Sequence, residues 1–119
     1  MIDHVEIQTG KLGEAVRFYR EVLAPLGYRQ QLDAKAKGFG AGEKMDFFIV
    51  EGAPSTDVHY AFESSARDIV DAIYAIADRE GFTLDRAPAL APHIHPNYYA
   101  GYLRDPDGRL VEFVCHTAE

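Results

Sequence analysis

The chain has 119 residues, is 47% hydrophobic and 26% charged, and carries seven Tyr and seven Phe, the makeup of a folded domain rather than of a disordered or fibrous chain. A net charge of −7 disfavours a nucleic-acid partner, which needs clustered Lys and Arg, and equally an anionic membrane surface. No apolar run approaches the roughly 20 residues of a spanning helix, and Met1-Ile2-Asp3-His4 has neither the basic nor the apolar stretch of a signal peptide. With Cys115 as the single cysteine there is no internal disulfide, so a cytoplasmic location is expected.

In chain order, Ile2 to Thr9 alternates as a strand. Leu12 to Leu23 sets Leu12, Ala15, Val16, Tyr19 and Leu23 on one helical stripe, which Pro25 and Gly27 end. Tyr28 to Asp33, a short Gly-rich piece within Ala36 to Gly42, and Met45 to Glu51 read as strands, and Gly52 to Ser55 as a linker. The pattern then restarts. Val58 to Glu63 is a strand, and Ala66 to Glu80 a helix with Ser64 or Ser65 as N-cap and Gly81 as its stop. Strands follow over Thr83 to Arg86, Tyr98 to Arg104 and Leu110 to Cys115, the last two joined by the turn Asp105-Pro106-Asp107-Gly108.

The two halves, 1–52 and 57–119, therefore repeat one order: strand, helix, three strands. HVEIQTGKLGEAVRFY from His4 matches HYAFESSARDIVDAIY from His59 at an offset of 55, and Gly27-Tyr28 and Gly81-Phe82 follow the two helices. A looser match sets Gly42 to Phe47 beside Gly108 to Phe113 and aligns Asp46 with Glu112, an offset of 66. That leaves extra residues in the second half, expected between Asp85 and Pro96.

Side chains alternate across a strand. Val5, Ile7, Phe47, Ile49, Tyr60, Phe62, Val111, Phe113 and Cys115 form the sets expected to pack on the helices. His4, Asp46, His59 and Glu112 then share the opposite face, where two imidazoles and a carboxylate suit Fe, Mn, Zn, Ni or Co and leave positions open for substrate. In the insert, Pro92 to Tyr99 brings His93, His95 and Tyr98 into a possible lid. On the next strand Tyr98, Tyr102 and Arg104 share a face, as hydrogen-bond donors and an anion-holding cation.

The opening IDHVEIQT…AVRFYREVLAPLGY, the central VHYAFES and the closing YYAGYLRDPDGRLVEFVCH resemble the vicinal oxygen chelate superfamily, which includes glyoxalase I, fosfomycin-resistance thiol transferases, extradiol dioxygenases and bleomycin-resistance proteins. The resemblance implies an α+β fold of two βαβββ modules forming a curved mixed sheet with a metal-binding cleft. It implies His4, His59 and Glu112 as ligands of a divalent metal (Zn, Ni, Mn or Fe), with Asp46 as a candidate fourth. It also implies a homodimer whose metal sites are shared between chains, and a small-molecule substrate. Glu112, Asp46 and Tyr102 are the candidate catalytic residues, and Tyr98, His95 and Arg104 the candidate substrate contacts. A lyase or isomerase is the favoured reading, with thiol transfer or ring-cleaving dioxygenation as other reactions. The alternative is a metal-free protein that sequesters an antibiotic or other ligand, as bleomycin-resistance proteins do.

Overall fold

The computed structural model describes residues 1–118. Its elements are β1 (Val5–Thr9), α1 (Leu12–Leu23), a 3-10 turn (Ala24–Leu26), β2 (Arg29–Asp33), β3 (Lys37–Gly40), β4 (Phe47–Glu51), β5 (His59–Ser64), α2 (Arg67–Glu80), β6 (Thr83–Leu90), β7 (Tyr99–Arg104) and β8 (Leu110–Cys115). They form two four-stranded sheets, ordered β1-β4-β3-β2 and β5-β8-β7-β6. β1 pairs with β4 and β5 with β8 in parallel, and the remaining neighbours run antiparallel. This is the α+β architecture of two βαβββ units.

Both helices end as their sequences dictate. Gly27 and Gly81 adopt φ of 86° and 78°, the left-handed region that favours glycine, and the Gly81 N–H closes α2 on the carbonyls of Ala77 and Asp78. The expected N-cap differs. Ala66 occupies that position, while the Ser64 hydroxyl donates to the Ala66 carbonyl at 2.8 Å. β6 runs four residues past its expected end, through Pro88. It lies at the edge of its sheet, where a missing N–H need not remove a ladder bond.

The ladders fix the internal repeat. Val5 faces Phe47 across β1 and β4, and Tyr60 faces Val111 across β5 and β8. Val5 and Tyr60 are equivalent at the offset of 55, so Phe47 corresponds to Val111 and Phe48 to Glu112. The expected pairing of Asp46 with Glu112 is thus two residues off, and Asp46 corresponds to Leu110. A slip of two preserves the face. It replaces a second acid at the Glu112-equivalent position with Phe48.

The expected apolar faces are buried, except that Val5, Tyr60 and Phe62 are half-buried against the core. Ile7, Phe47, Ile49, Val111, Phe113 and Cys115 join Ala15, Phe18, Tyr19, Val22 and Leu23 of α1 and Val70, Ile73 and Ala77 of α2 in one cluster. Rings cross between the halves, Phe47 to Phe62 at 5.4 Å and Tyr28 to Phe62 at 6.0 Å between centroids. A polar clip also joins them. Arg109, 1% exposed, donates to Asp105 at 2.9 Å, to the Ser55 carbonyl at 3.0 Å and to the Gln8 carbonyl. Asp107 accepts the Thr9 hydroxyl at 2.5 Å, and Asp105 accepts the Tyr19 hydroxyl at 2.6 Å. Among the described residues, no helix is long and apolar enough to cross a membrane.

Candidate functional site

Residues opposite one another in a ladder share a face. Ala61 faces Glu112, Glu112 faces Tyr102, and Tyr102 faces Arg86. These four form one row across β5, β8, β7 and β6, on the side away from the core. His59 lies two residues before Ala61 and so shares its face.

The centre of the row is Glu112, whose side chain is 4% exposed. Oε1 lies 2.9 Å from Nε2 of the half-exposed His59, and Oε2 accepts the Tyr98 hydroxyl. Tyr102 packs against His59 with centroids 6.3 Å apart. Burial, and then the Glu112 carboxylate, push the Tyr98 and Tyr102 phenols above their ordinary value. Both therefore remain protonated at neutral pH and act as donors rather than bases.

That shift has a stability consequence. Burial is the leading cause raising the phenols of Tyr19, Tyr28 and Tyr60 as well. A group whose folded pKa is raised contributes stability that is full below its unfolded value and is lost as pH climbs toward the folded one. Thermal melts should therefore be insensitive to these phenols below about pH 10 and fall above it. The fall should be shallower in Tyr98→Phe. An alkaline limb unchanged by that substitution would contradict the assignment.

The first half contributes His4, Tyr28, Asp46 and Phe48. His4 lies 2.9 Å from Asp3 through Nδ1 and meets the Phe48 ring edge-on at 5.6 Å. It shares a cleft of about 450 Å³ with Tyr28, Asp46, His59 and Phe62. Asp46 accepts the Tyr28 hydroxyl at 2.9 Å through Oδ2, while its buried Oδ1 has no partner among the described residues. Both imidazoles thus line one cleft, but only His59 contacts Glu112. Among the described residues, no group of three His, Cys, Asp or Glu is placed to hold a metal ion.

The remaining sequence candidates divide. His95 is brought beside Tyr98, with ring centroids 5.5 Å apart. Its Nδ1 accepts the Asn97 N–H at 3.3 Å, so Nε2 carries the proton and donates to His116 Nδ1 at 2.5 Å. The 91–98 segment is therefore strapped to the chain beyond β8 and helps hold Tyr98 on Glu112, where the sequence suggested a lid. Arg104 is not brought to the cluster. It donates to Asp85 at 3.0 Å and to the Gly108 carbonyl at 3.2 Å, and lines a separate hollow with Lys11 and Arg17. Arg86, which the sequence reading left unmarked, is the cation at the site. Its guanidinium carbon sits 3.9 Å above the Tyr102 ring.

His59 and Glu112 fit a divalent metal as a pair. Two donors each about 2.1 Å from one ion stand about 3.0 Å apart at right angles and about 3.4 Å apart in tetrahedral geometry, and the hydrogen-bonded pair at 2.9 Å is already close to that spacing.

The comparisons agree with this architecture. A sequence model of the Glyoxalase/Bleomycin resistance protein/Dioxygenase superfamily matches residues 1–113. Virulence protein STM3117 of Salmonella typhimurium is 27% identical over 120 residues, covering 93% of this chain and 81% of that protein. The crystal structure of a glyoxalase/bleomycin resistance protein from Albidiferax ferrireducens superposes with a TM-score of 0.80 at 23% identity, covering 95% of this chain and 97% of that one. Lactoylglutathione lyase from Agrobacterium tumefaciens superposes with a TM-score of 0.69 at 20% identity, covering 97% and 92%. At such identities the two structures establish the fold alone. On the match over nearly its whole length, the chain belongs to the Glyoxalase/Bleomycin resistance protein/Dioxygenase superfamily.

Proposed function

We propose that the protein is a divalent-metal-dependent enzyme acting on a small substrate through two neighbouring oxygens, with lyase or isomerase chemistry favoured. The observation that carries this is the His59–Glu112 pair, an imidazole and a buried carboxylate at ligand spacing on an open sheet face. His4 of a second copy supplies the third ligand, in a homodimer whose two sites each combine a first half with a partner's second half. Lactoylglutathione lyase lends its reaction class to this reading through the shared fold. Zn, Ni, Mn and Fe all suit a His, His, Glu set. When bound, such an ion supplies Lewis-acid stabilisation of developing negative charge on substrate oxygen.

The chain's own residues do the rest. Tyr98 fixes Glu112 by donating to Oε2, leaving Oε1 turned toward His59. Phe48 stands at the position equivalent to Glu112, so proton transfer falls to Glu112, with Tyr102 as the adjacent donor. Asp46, across the cleft, is the second carboxylate available to substrate. Small Ala61 leaves room in the row above Glu112.

Elemental analysis of protein purified without chelator, then incubated with Ni, Zn, Mn and Fe, tests the proposal. Stoichiometric metal in the parent and little in His59→Ala is the expected result. Binding also requires the His59 nitrogen facing Glu112 to be bare, which a neutral imidazole meets by carrying its proton on Nδ1. No metal uptake under any of these conditions would leave a metal-free, ligand-sequestering protein. Methylglyoxal hemithioacetal, fosfomycin with thiols, and catechols then separate the reaction classes.

A further inference from the structure

We propose that Arg86 is an anion-binding residue that selects substrates carrying a carboxylate beside their metal-directed oxygens. The inference rests on the metal-site reading above and adds a substrate class to it. Arg86 closes the row Ala61–Glu112–Tyr102–Arg86, so it belongs to the site face by register. The β6–β7 pairing shifts on both sides of it, between Leu84 and Arg86 and again between Arg86 and Ala89. Bulges of this kind re-aim a side chain, and here they flank the one arginine that lies over Tyr102.

The guanidinium is held but not consumed. Its carbon lies 3.9 Å over the Tyr102 ring, and stacking on an aromatic face leaves the planar N–H edge free for a bidentate oxyanion. The one ion pair it makes among the described residues, to Asp85 at 3.5 Å, is with a carboxylate already engaged by Arg104 at 3.0 Å. Its side chain is 63% exposed. In a chain of net charge −7, a cation one ring away from the His59–Glu112 pair marks the end of the site that takes negative charge. The substrate class is a small acid that pairs neighbouring oxygens with a separate carboxylate.

The test uses a matched pair, catechol and 3,4-dihydroxybenzoate, which differ by the carboxylate. Dissociation constants are read from the visible spectrum of Co(II)-loaded protein. The acid should bind at least about 10-fold tighter, the range expected of a charge-assisted contact. Arg86→Met, which keeps the stem on Tyr102, should bring the two affinities within about twofold, and Arg86→Lys should fall between. Equal affinities in the parent, or a preference that survives in Arg86→Met, overturn the proposal. A second arm needs no metal: the Arg86 Nε–H resonance of the metal-free protein is followed during both titrations. A shift with the acid and not with catechol supports the anion site even if no Co(II) is taken up, in which case only the metal reading fails. No shift with either compound overturns it.

Discussion

Glu112→Gln is expected to lower divalent-metal affinity by about 100-fold or more, in line with the loss of a ligand where even a supporting residue is worth 10–100-fold. The substitution keeps volume and leaves an oxygen to accept the Tyr98 hydroxyl, so the sheet should survive while the negative charge beside His59 disappears. Titration calorimetry with Mn or Ni on parent and variant reads the change. A mixing experiment extends it. His4→Ala and Glu112→Gln proteins, each metal-poor alone, are unfolded and refolded together. If ligands are shared between copies, one site of the hybrid dimer is intact and metal uptake recovers. If all ligands come from one chain, no hybrid site is whole and uptake stays low. An affinity unchanged in Glu112→Gln would remove the carboxylate from the ligand set.

Arg109→Met is expected to be the most destabilising single change outside the site. Arg109 is 1% exposed, and the Asp105 and Asp107 side chains beside it are 0% and 3% exposed. Removing the cation leaves two buried carboxylates uncompensated, at a cost of about 3–5 kcal/mol. It also strips donors from the Ser55 and Gln8 carbonyls, which tie the linker and β1 to the β7–β8 turn. Against a total stability of about 5–15 kcal/mol, the melting temperature should fall by about 10–20 °C. Arg109→Lys should recover part of this, since it restores charge without the fork. A loss under about 1 kcal/mol would place Arg109 among ordinary surface pairs and refute the clip.

The helices and the first strand of each half were legible because both carry strong periodicity and fixed stops. Leu12–Leu23 and Leu110–Cys115 fall at the expected bounds, whereas β1 begins at Val5 rather than Ile2, so the offset of 55 leaves His4 just before β1 and His59 at the first residue of β5. The register of β4 was not legible. Gly42 and Gly108 both adopt positive φ, and each leads to an acid followed by Phe, but they sit at different distances from their strands. Turn glycines report loop geometry, whereas register is set by the parallel ladders and by which face is buried. The motif match therefore promoted Asp46 into the place that Phe48 holds. Arg86 and Arg104 exchanged roles for a related reason. Alternation along the regular β7 does set Arg104 on the Tyr102 face, but at the strand's end its side chain is taken up by Asp85 and the Gly108 carbonyl, whereas β6 is irregular on either side of Arg86 and no period-2 reading places that residue. The Asp-Pro-Asp-Gly turn was read as a reversal alone. Its link to Gln8 and Thr9, some hundred residues earlier, exists only in three dimensions.

Anomalous diffraction from crystals of the Mn- or Ni-loaded protein tests the account at its centre. The expected peak lies within bonding distance of His59 Nε2 and Glu112 Oε1 of one chain and of the His4 imidazole of a second. A peak elsewhere, as between His95 and His116, or no peak beside Glu112 at full metal loading, would contradict it.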